Sequence, residues 1–262
     1  MKPEDVIRLK ELLPTTLGSA EIREQLAGDI LRRSIFSARM ASATYLAKIR
    51  EVCEAMSGGH INAADARAQL LTVLEQMGHS PLDEGGLTNP ASIRRLNLIV
   101  ETQTTMASSV ARLTEQTEAT VNLFPAWELT RLESRSVPRK DWPARWRAAG
   151  ESVNWEGALQ DRFIALKSSP IWAALGNGAG GYTDTLGNPY PPFAYSSGMD
   201  WLDVDRETCD RLGLDTVPPS ALAGGADKPT LTPGEADIAD AIKRYGFPEI
   251  ANGLDIEGLD IR

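Results

Sequence analysis

Arginine and tryptophan interleave between residues 127 and 147. Arg131, Arg135, Arg139, Lys140, Arg145 and Arg147 stand against only Glu128, Glu133 and Asp141, with Trp127, Trp142 and Trp146 among them. Arginine beside an exposed ring is the composition of protein-interface hot spots and of grooves that hold single-stranded nucleic acid. The same residues also suit a tryptophan core rimmed by solvated guanidinium groups, so three readings stand: protein contact, nucleic-acid contact and core. A second stretch, residues 186–201, packs three prolines, two glycines, Tyr190, Phe193, Tyr195 and Trp201 into sixteen positions. Proline fixes φ and glycine opens φ > 0, so a specific rigid loop is expected, with rings to anchor it. Such a loop shapes a surface for another chain or supports a site.

Other patterns that could carry chemistry are weaker. Gly176, Gly178 and Gly181 satisfy G-x-G-x-x-G. A dinucleotide fold, however, needs a buried strand before that pattern and a helix after it. Here Pro170 precedes and the proline loop follows, so a turn is expected. Asp200, Asp203, Asp205, Glu207 and Asp210 invite a calcium loop, but its sixth position would be Thr208 and its twelfth Leu214, where glycine and glutamate are needed. Carboxylates gathered at a helix N-terminus explain that run better. His60 and His79, the only histidines, follow helix-ending glycines and have no metal-ligand spacing. No nucleophile–histidine–acid signature is present, and 36 acidic residues will place some carboxylates together in any fold. No catalytic residue, cofactor or metal is therefore expected, and the chain is read as a non-enzyme.

The chain has 262 residues and a formal charge of −9, of which residues 213–262 carry more than half. An acidic tail argues against free nucleic acid as its partner and suits docking on a basic surface. No apolar run reaches the roughly 18 residues of a membrane span, and the N-terminus lacks an apolar targeting core, so folding in a cytoplasm is expected. Cys53 and Cys209 form no CxxC pair and are expected to be reduced thiols.

The elements that must position these residues are expected to be mainly α with a small α+β portion, in three parts. Residues 1–120 read as a helical domain. Its parts are a short helix stopped by Pro14, and a helix capped by Ser19 that would run about 55 Å to Ser57 if continuous. A third helix is capped by Asn62 and ended by Gly78. A fourth, opened by Asn89-Pro90, turns Ile93, Leu96, Val100, Ala107, Val110 and Leu113 inward. The fourth helix has an uncharged polar face (Thr102, Gln103, Thr104, Thr105, Ser108, Ser109), suited to a polar partner or to partial burial within the chain. Residues 121–214 read as a Trp/Pro-rich α+β domain holding all six tryptophans. It has a strand within 126–137, short helices opened by Trp142-Pro143 and by the cap Asp205, and a brief turn opened by Pro170 and ended at Gly176. Residues 215–262 read as a linker and an extended arm with one short helix from the capping box at Thr232–Glu235. Partner contact is expected at Trp127, Arg131, Arg135, Arg139, Trp142, Trp146, Tyr190, Phe193, Tyr195, Trp201, Tyr245 and Phe247.

The order of motifs adds a resemblance. Phe36-Ser-Ala-Arg-Met-Ala-Ser-Ala-Thr-Tyr-Leu-Ala-Lys leads to Ser57-Gly-Gly-His-Ile-Asn-Ala-Ala-Asp-Ala-Arg and Arg94-Arg-Leu-Asn-Leu-Ile-Val-Glu-Thr-Gln-Thr-Thr. Phe124-Pro-Ala-Trp-Glu-Leu-Thr-Arg, Pro138-Arg-Lys-Asp-Trp-Pro-Ala-Arg-Trp, Pro189-Tyr-Pro-Pro-Phe-Ala-Tyr-Ser-Ser-Gly-Met and Asp203-Val-Asp-Arg follow. This series, over roughly residues 20–214, resembles the head-morphogenesis or minor head (minor capsid) proteins of Mu-like tailed phages and prophages. The family's usual Cys-Arg-Cys ending is absent, since Pro191-Pro192 leads to Phe-Ala-Tyr. The resemblance implies a virion protein of the head or portal region, made in the host cytoplasm. It would act in capsid assembly by contacts with portal or capsid proteins and with copies of itself. A phage-encoded enzyme and a nucleic-acid-binding virion protein are the alternatives.

Overall fold

In the computed structural model, residues 1–26, 28–80, 86–135, 137–155 and 161–214 are described. Among them the chain is mainly helical with a small β portion. Ten helices occur: α1 (Pro3–Arg8), α2 (Ser19–Gln25), α3 (Gly28–Arg32), α4 (Ala43–Ser57), α5 (Ala63–Gln76), α6 (Ile93–Thr114), α7 (Glu118–Leu123), α8 (Trp142–Ser152), α9 (Ile171–Gly176) and α10 (Arg206–Arg211). Five strands accompany them: β1 (Glu11–Leu12), β2 (Ser34–Ile35), β3 (Ala126–Arg131), β4 (Ile164–Leu166) and β5 (Met199–Val204). Contacts divide the described chain into two compact units, residues 2–107 and 108–214. The division falls inside α6 and not near residue 120, because Arg112 on the last turns of α6 is tied to Asp200 and Trp201 of β5. The expected third part, the 215–262 linker and arm with Tyr245 and Phe247, lies outside the described residues.

In the unit of residues 2–107, the expected single helix from Ser19 to Ser57 is three helices and a strand. Apolar spacing persists across the breaks, but other interactions end the helix. β2 leaves the helical path to pair in parallel with β1, Glu11 opposite Ser34 and Leu12 opposite Ile35. Arg39 takes a left-handed φ of 56°, and Ser42 starts α4 afresh by accepting the Tyr45 N–H at 3.2 Å. The buried Arg95 side chain holds the crossing, donating to Ser37 Oγ at 2.8 Å and to the Ala38 carbonyl. Glu11–Leu12, expected to close the first helix, forms β1 instead.

Asn62 caps α5 as expected, accepting from Ala64 N at 2.8 Å and Asp65 N at 3.0 Å, and Gly78 follows its end at φ 85°. α6 begins three residues after Pro90, where Ser92 Oγ accepts the Arg95 N–H at 3.2 Å. Ile93, expected inward, is half exposed: it shares the face of Leu96, Val100 and Ala107 but is the first residue of the helix, where the end of the element leaves it uncovered. The uncharged polar face of α6 turns inward at Thr102 and Gln103, which are buried within this unit.

The unit of residues 108–214 is built on an antiparallel sheet ordered β4-β3-β5. Trp127 lies opposite Ala165 and Asp203, and Leu129 lies opposite Trp201. One face of this sheet meets α10 through Ala126, Ile164, Val204 and Cys209. The other carries the aromatic core. Trp127 stacks on Trp201 with centroids 3.8 Å apart and planes 7° from parallel, and Trp172 of α9 meets both edge-on at 5.9 Å. Trp146 of α8 and Phe193 complete the cluster around Trp172, at 5.3 and 6.1 Å. Rings offset or edge-on at these distances contribute about 0.5–1.5 kcal/mol per pair beyond their area burial. Cys53 and Cys209 are both buried free thiols, and among the described residues no helix is long and apolar enough to cross a membrane.

Candidate partner-contact site

Within the Arg/Trp block the guanidinium groups of Arg131, Arg139 and Arg145 are bonded inside their own unit, while Arg147 is exposed. Arg145, carried by α8 and only 5% exposed, donates from Nη1 to Asp184 Oδ1 at 2.8 Å and from Nη2 to Asp184 Oδ2 at 3.1 Å. Its Nε reaches Asp141 Oδ2 at 2.9 Å, and its plane lies 4.1 Å from the Tyr182 ring centroid and 5.2 Å from that of Trp142. Two parallel N–H···O bonds to one carboxylate, under an aromatic face, use the planarity that distinguishes arginine from lysine. Arg139 adds a second cation, Nη1 to Asp184 Oδ2 at 2.7 Å. Burial pushes the Asp184 carboxyl up, but the Arg145 hydrogen bonds and the charges of Arg139 and Arg145 outweigh it, so it titrates below its ordinary value.

The same arginines pin the proline loop. Arg139 Nη2 donates to the Tyr195 carbonyl at 2.6 Å, and Arg131 Nη1 donates to the Ser197 carbonyl at 2.6 Å. The Tyr195 N–H donates to the Asp184 carbonyl at 3.2 Å, Leu186 N–H to Phe193 O at 3.2 Å, and the Pro191–Pro192 bond is cis. The loop is specific and well bonded, as its composition suggests, but it faces the core. Tyr190, Phe193 and Trp201 are at most 1% exposed, and Trp127, Trp142 and Trp146 at most 4%. These six rings are core residues of this unit, which corrects the expectation that they offer contact area. Arg131, Arg135, Arg139 and Tyr195 are half-buried.

What the arginines leave outside is a braced projection. Arg131 Nη2 donates to the Arg139 carbonyl at 3.0 Å, closing the base of the segment between them, and the N–H groups of Leu132 and Glu133 both reach the Gly198 carbonyl, at 3.1 and 3.2 Å. Gly198, at φ 65°, permits this approach, since a Cβ there would stand 2.5 Å from the Glu133 carbonyl oxygen. The projection exposes Leu132 by 51% and Val137 by 85%. Leu123 and Phe124, at the end of α7 in the same unit, are exposed by 63% and 39%.

The expected turn at Gly176–Gly181 is a turn, with Gly178, Gly180 and Gly181 all at positive φ. The acidic run divides among three structural tasks. Asp200 pairs with Arg112 at 2.9 Å, Asp203 with Lys167 at 2.7 Å, and Asp205 caps α10 by accepting the Thr208 N–H at 2.7 Å. Among the described residues no group of His, Cys, Asp and Glu could hold a metal ion. Sequence reasoning missed Asp184, Lys167 and Arg112. Their partners lie 36 to 89 residues away, so no local spacing marks them. No protein-family model, no curated protein and no solved structure matches the chain.

Proposed function

We propose that this chain is a structural protein of a tailed-phage or prophage head, acting through protein–protein contacts near the portal vertex or on the capsid, and without catalysis. The observation that carries the reading is the exposure of Leu132 and Val137 beside the anchors Arg131 and Arg139. Arg131 Nη2 donates to the Arg139 carbonyl at 3.0 Å, and Leu132 and Val137 stand exposed to solvent between these two anchors. An apolar, pre-ordered surface loses little conformational entropy when a partner covers it. The series of motifs shared with minor head proteins supports the virion setting.

Nucleic acid is less favoured as a partner, since Arg131, Arg139 and Arg145 are occupied by carbonyls and carboxylates of their own unit. Quantitative mass spectrometry of purified particles and assembly intermediates tests the reading. The chain is expected at low, fixed copy number beside portal and capsid proteins. Its absence from both fractions would overturn the proposal.

A further inference from the structure

A three-stranded sheet has two outer edges, and each is a template on which another chain could add a strand. Here side chains reach into both. On the β4 side, the outward Leu166 carbonyl accepts from Trp172 Nε1 and from the Ser169 N–H, each at 2.9 Å. The β5 side is closed differently. The Leu132 N–H to Gly198 carbonyl bond continues the pairing of Thr130 with Asp200 and Glu128 with Leu202. Backbone groups of Asp200, Leu202 and Val204 therefore face β3, and those of Met199, Trp201 and Asp203 face outward.

The outward Trp201 N–H donates to Asp200 Oδ1 at 2.7 Å, and the outward Trp201 carbonyl accepts from Arg112 Nη2 at 3.0 Å. Arg112 Nη1 closes the ring on the same Asp200 oxygen at 2.9 Å. The Met199 N–H is taken by Ser197 Oγ at 3.2 Å. An arginine and an aspartate thus occupy the positions that a neighbouring strand would use.

We propose that Arg112 and Asp200 are an edge guard, which keeps β5 of one copy from pairing with β5 of a second copy of this chain. The outward triplet Met199, Trp201 and Asp203 is centred on Trp201. Two copies related by a two-fold axis there would exchange both Trp201 backbone bonds and set Met199 against Asp203, the self-complementary geometry of an isologous antiparallel pair. Leu202, 44% exposed, would then lie opposite Asp200 of the other copy. An ion pair on an edge strand costs little when solvated and obstructs pairing, because the intruding strand would have to strip it.

Arg112→Ala and Asp200→Ala in the full chain, followed by light scattering across a concentration series, test the guard. Both variants are expected to show a species of twice the wild-type mass that grows with concentration, with circular dichroism unchanged. Adding Leu202→Asp to Arg112→Ala sets like charges across the new pair and is expected to restore the wild-type mass. Should Arg112→Ala lose its helical signal, Arg112→Lys keeps the charge facing Asp200, lacks a second nitrogen for the Trp201 carbonyl, and carries the same expectation. Folded variants that keep the wild-type mass, or association that Leu202→Asp fails to reverse, would overturn the proposal.

Discussion

Two residue-level groupings govern how this chain responds to pH. Lys10 is buried with Gln103 Oε1 at 2.7 Å and, among the described residues, no carboxylate at that distance. Burial lowers its ammonium to about 8 against the upward pull of Cys53, and burial pushes the Cys53 thiol up to about 12 against the pull of Lys10. Unfolded, the two groups titrate at about 10.4 and 8.5. Between about pH 8 and 10.4 the unfolded chain holds the extra proton at Lys10, so stability rises with pH. From about 8.5 to 12 the native chain holds the extra proton at Cys53, so stability falls. The two slopes cancel where they overlap, so this pair leaves stability unchanged from about pH 8.5 to 10.4. Lys10→Met removes the rising term. Relative to the wild type, denaturant titrations should then show stability falling by up to about 1.4 kcal/mol per pH unit over that window, and greater stability at pH 7.

Asp184 tests the other grouping. Asp184→Asn leaves Arg145 buried with only Asp141, and removing one partner of a buried pair costs about 3–5 kcal/mol. Since Asp184 is 35% exposed, a loss of about 2 kcal/mol is expected. Its lowered titration means that this contribution is present above about pH 4 and is lost as pH falls below it, so the variant's deficit should shrink in acid.

Among the elements, those bounded by local chemistry were legible before the structure, and those bounded by distant contacts were not. The caps at Asn62 and Asp205, the proline start of α8 and the Gly78 stop all act within four residues, so each shows in the sequence. The break between α3 and α4 depends on β1, about twenty residues upstream, and on Arg95, 58 residues downstream of Ser37, while Ile30, Ile35 and Met40 keep an apolar rhythm through it. Likewise, residues 186–201 could be seen to be rigid, but the direction they face is set by Arg131, Arg139 and Asp184.

Gly176, at the end of α9, separates propensity from packing. Gly→Ala inside a helix ordinarily gains about 1 kcal/mol, yet a Cβ here would stand 1.7 Å from the Asn188 carbonyl oxygen. The backbone of the proline loop cannot yield that distance without repacking. Gly176→Ala is therefore expected to destabilise by about 3 kcal/mol or more in thermal melts. Gly181→Ala, at φ 86° with open space around it, should cost only about 1–2 kcal/mol from the left-handed backbone. Equal losses at the two sites would show that the loop is not seated against α9.

At the scale of the molecule, the unit of residues 108–214 uses six of its aromatic rings and the guanidinium groups of Arg131, Arg139 and Arg145 internally, so its contact chemistry must come from what remains outside. Leu132 and Val137 rise from a base closed by Arg131 and Arg139, and neither contributes to the buried core. Replacing exposed residues of this kind changes folding stability by about 0.5 kcal/mol or less. The same replacement by aspartate in a desolvated interface strands a charge, which costs several kcal/mol and lowers occupancy by orders of magnitude. Leu132→Asp/Val137→Asp is thus expected to melt like the wild type and to be lost from purified particles or from complexes with the portal and capsid chains. Trp146→Ala, taken from the core, should lose fold and partner together. If the double variant assembles as well as wild type, the projection is not the docking surface, and Leu123 and Phe124 are the next residues to charge.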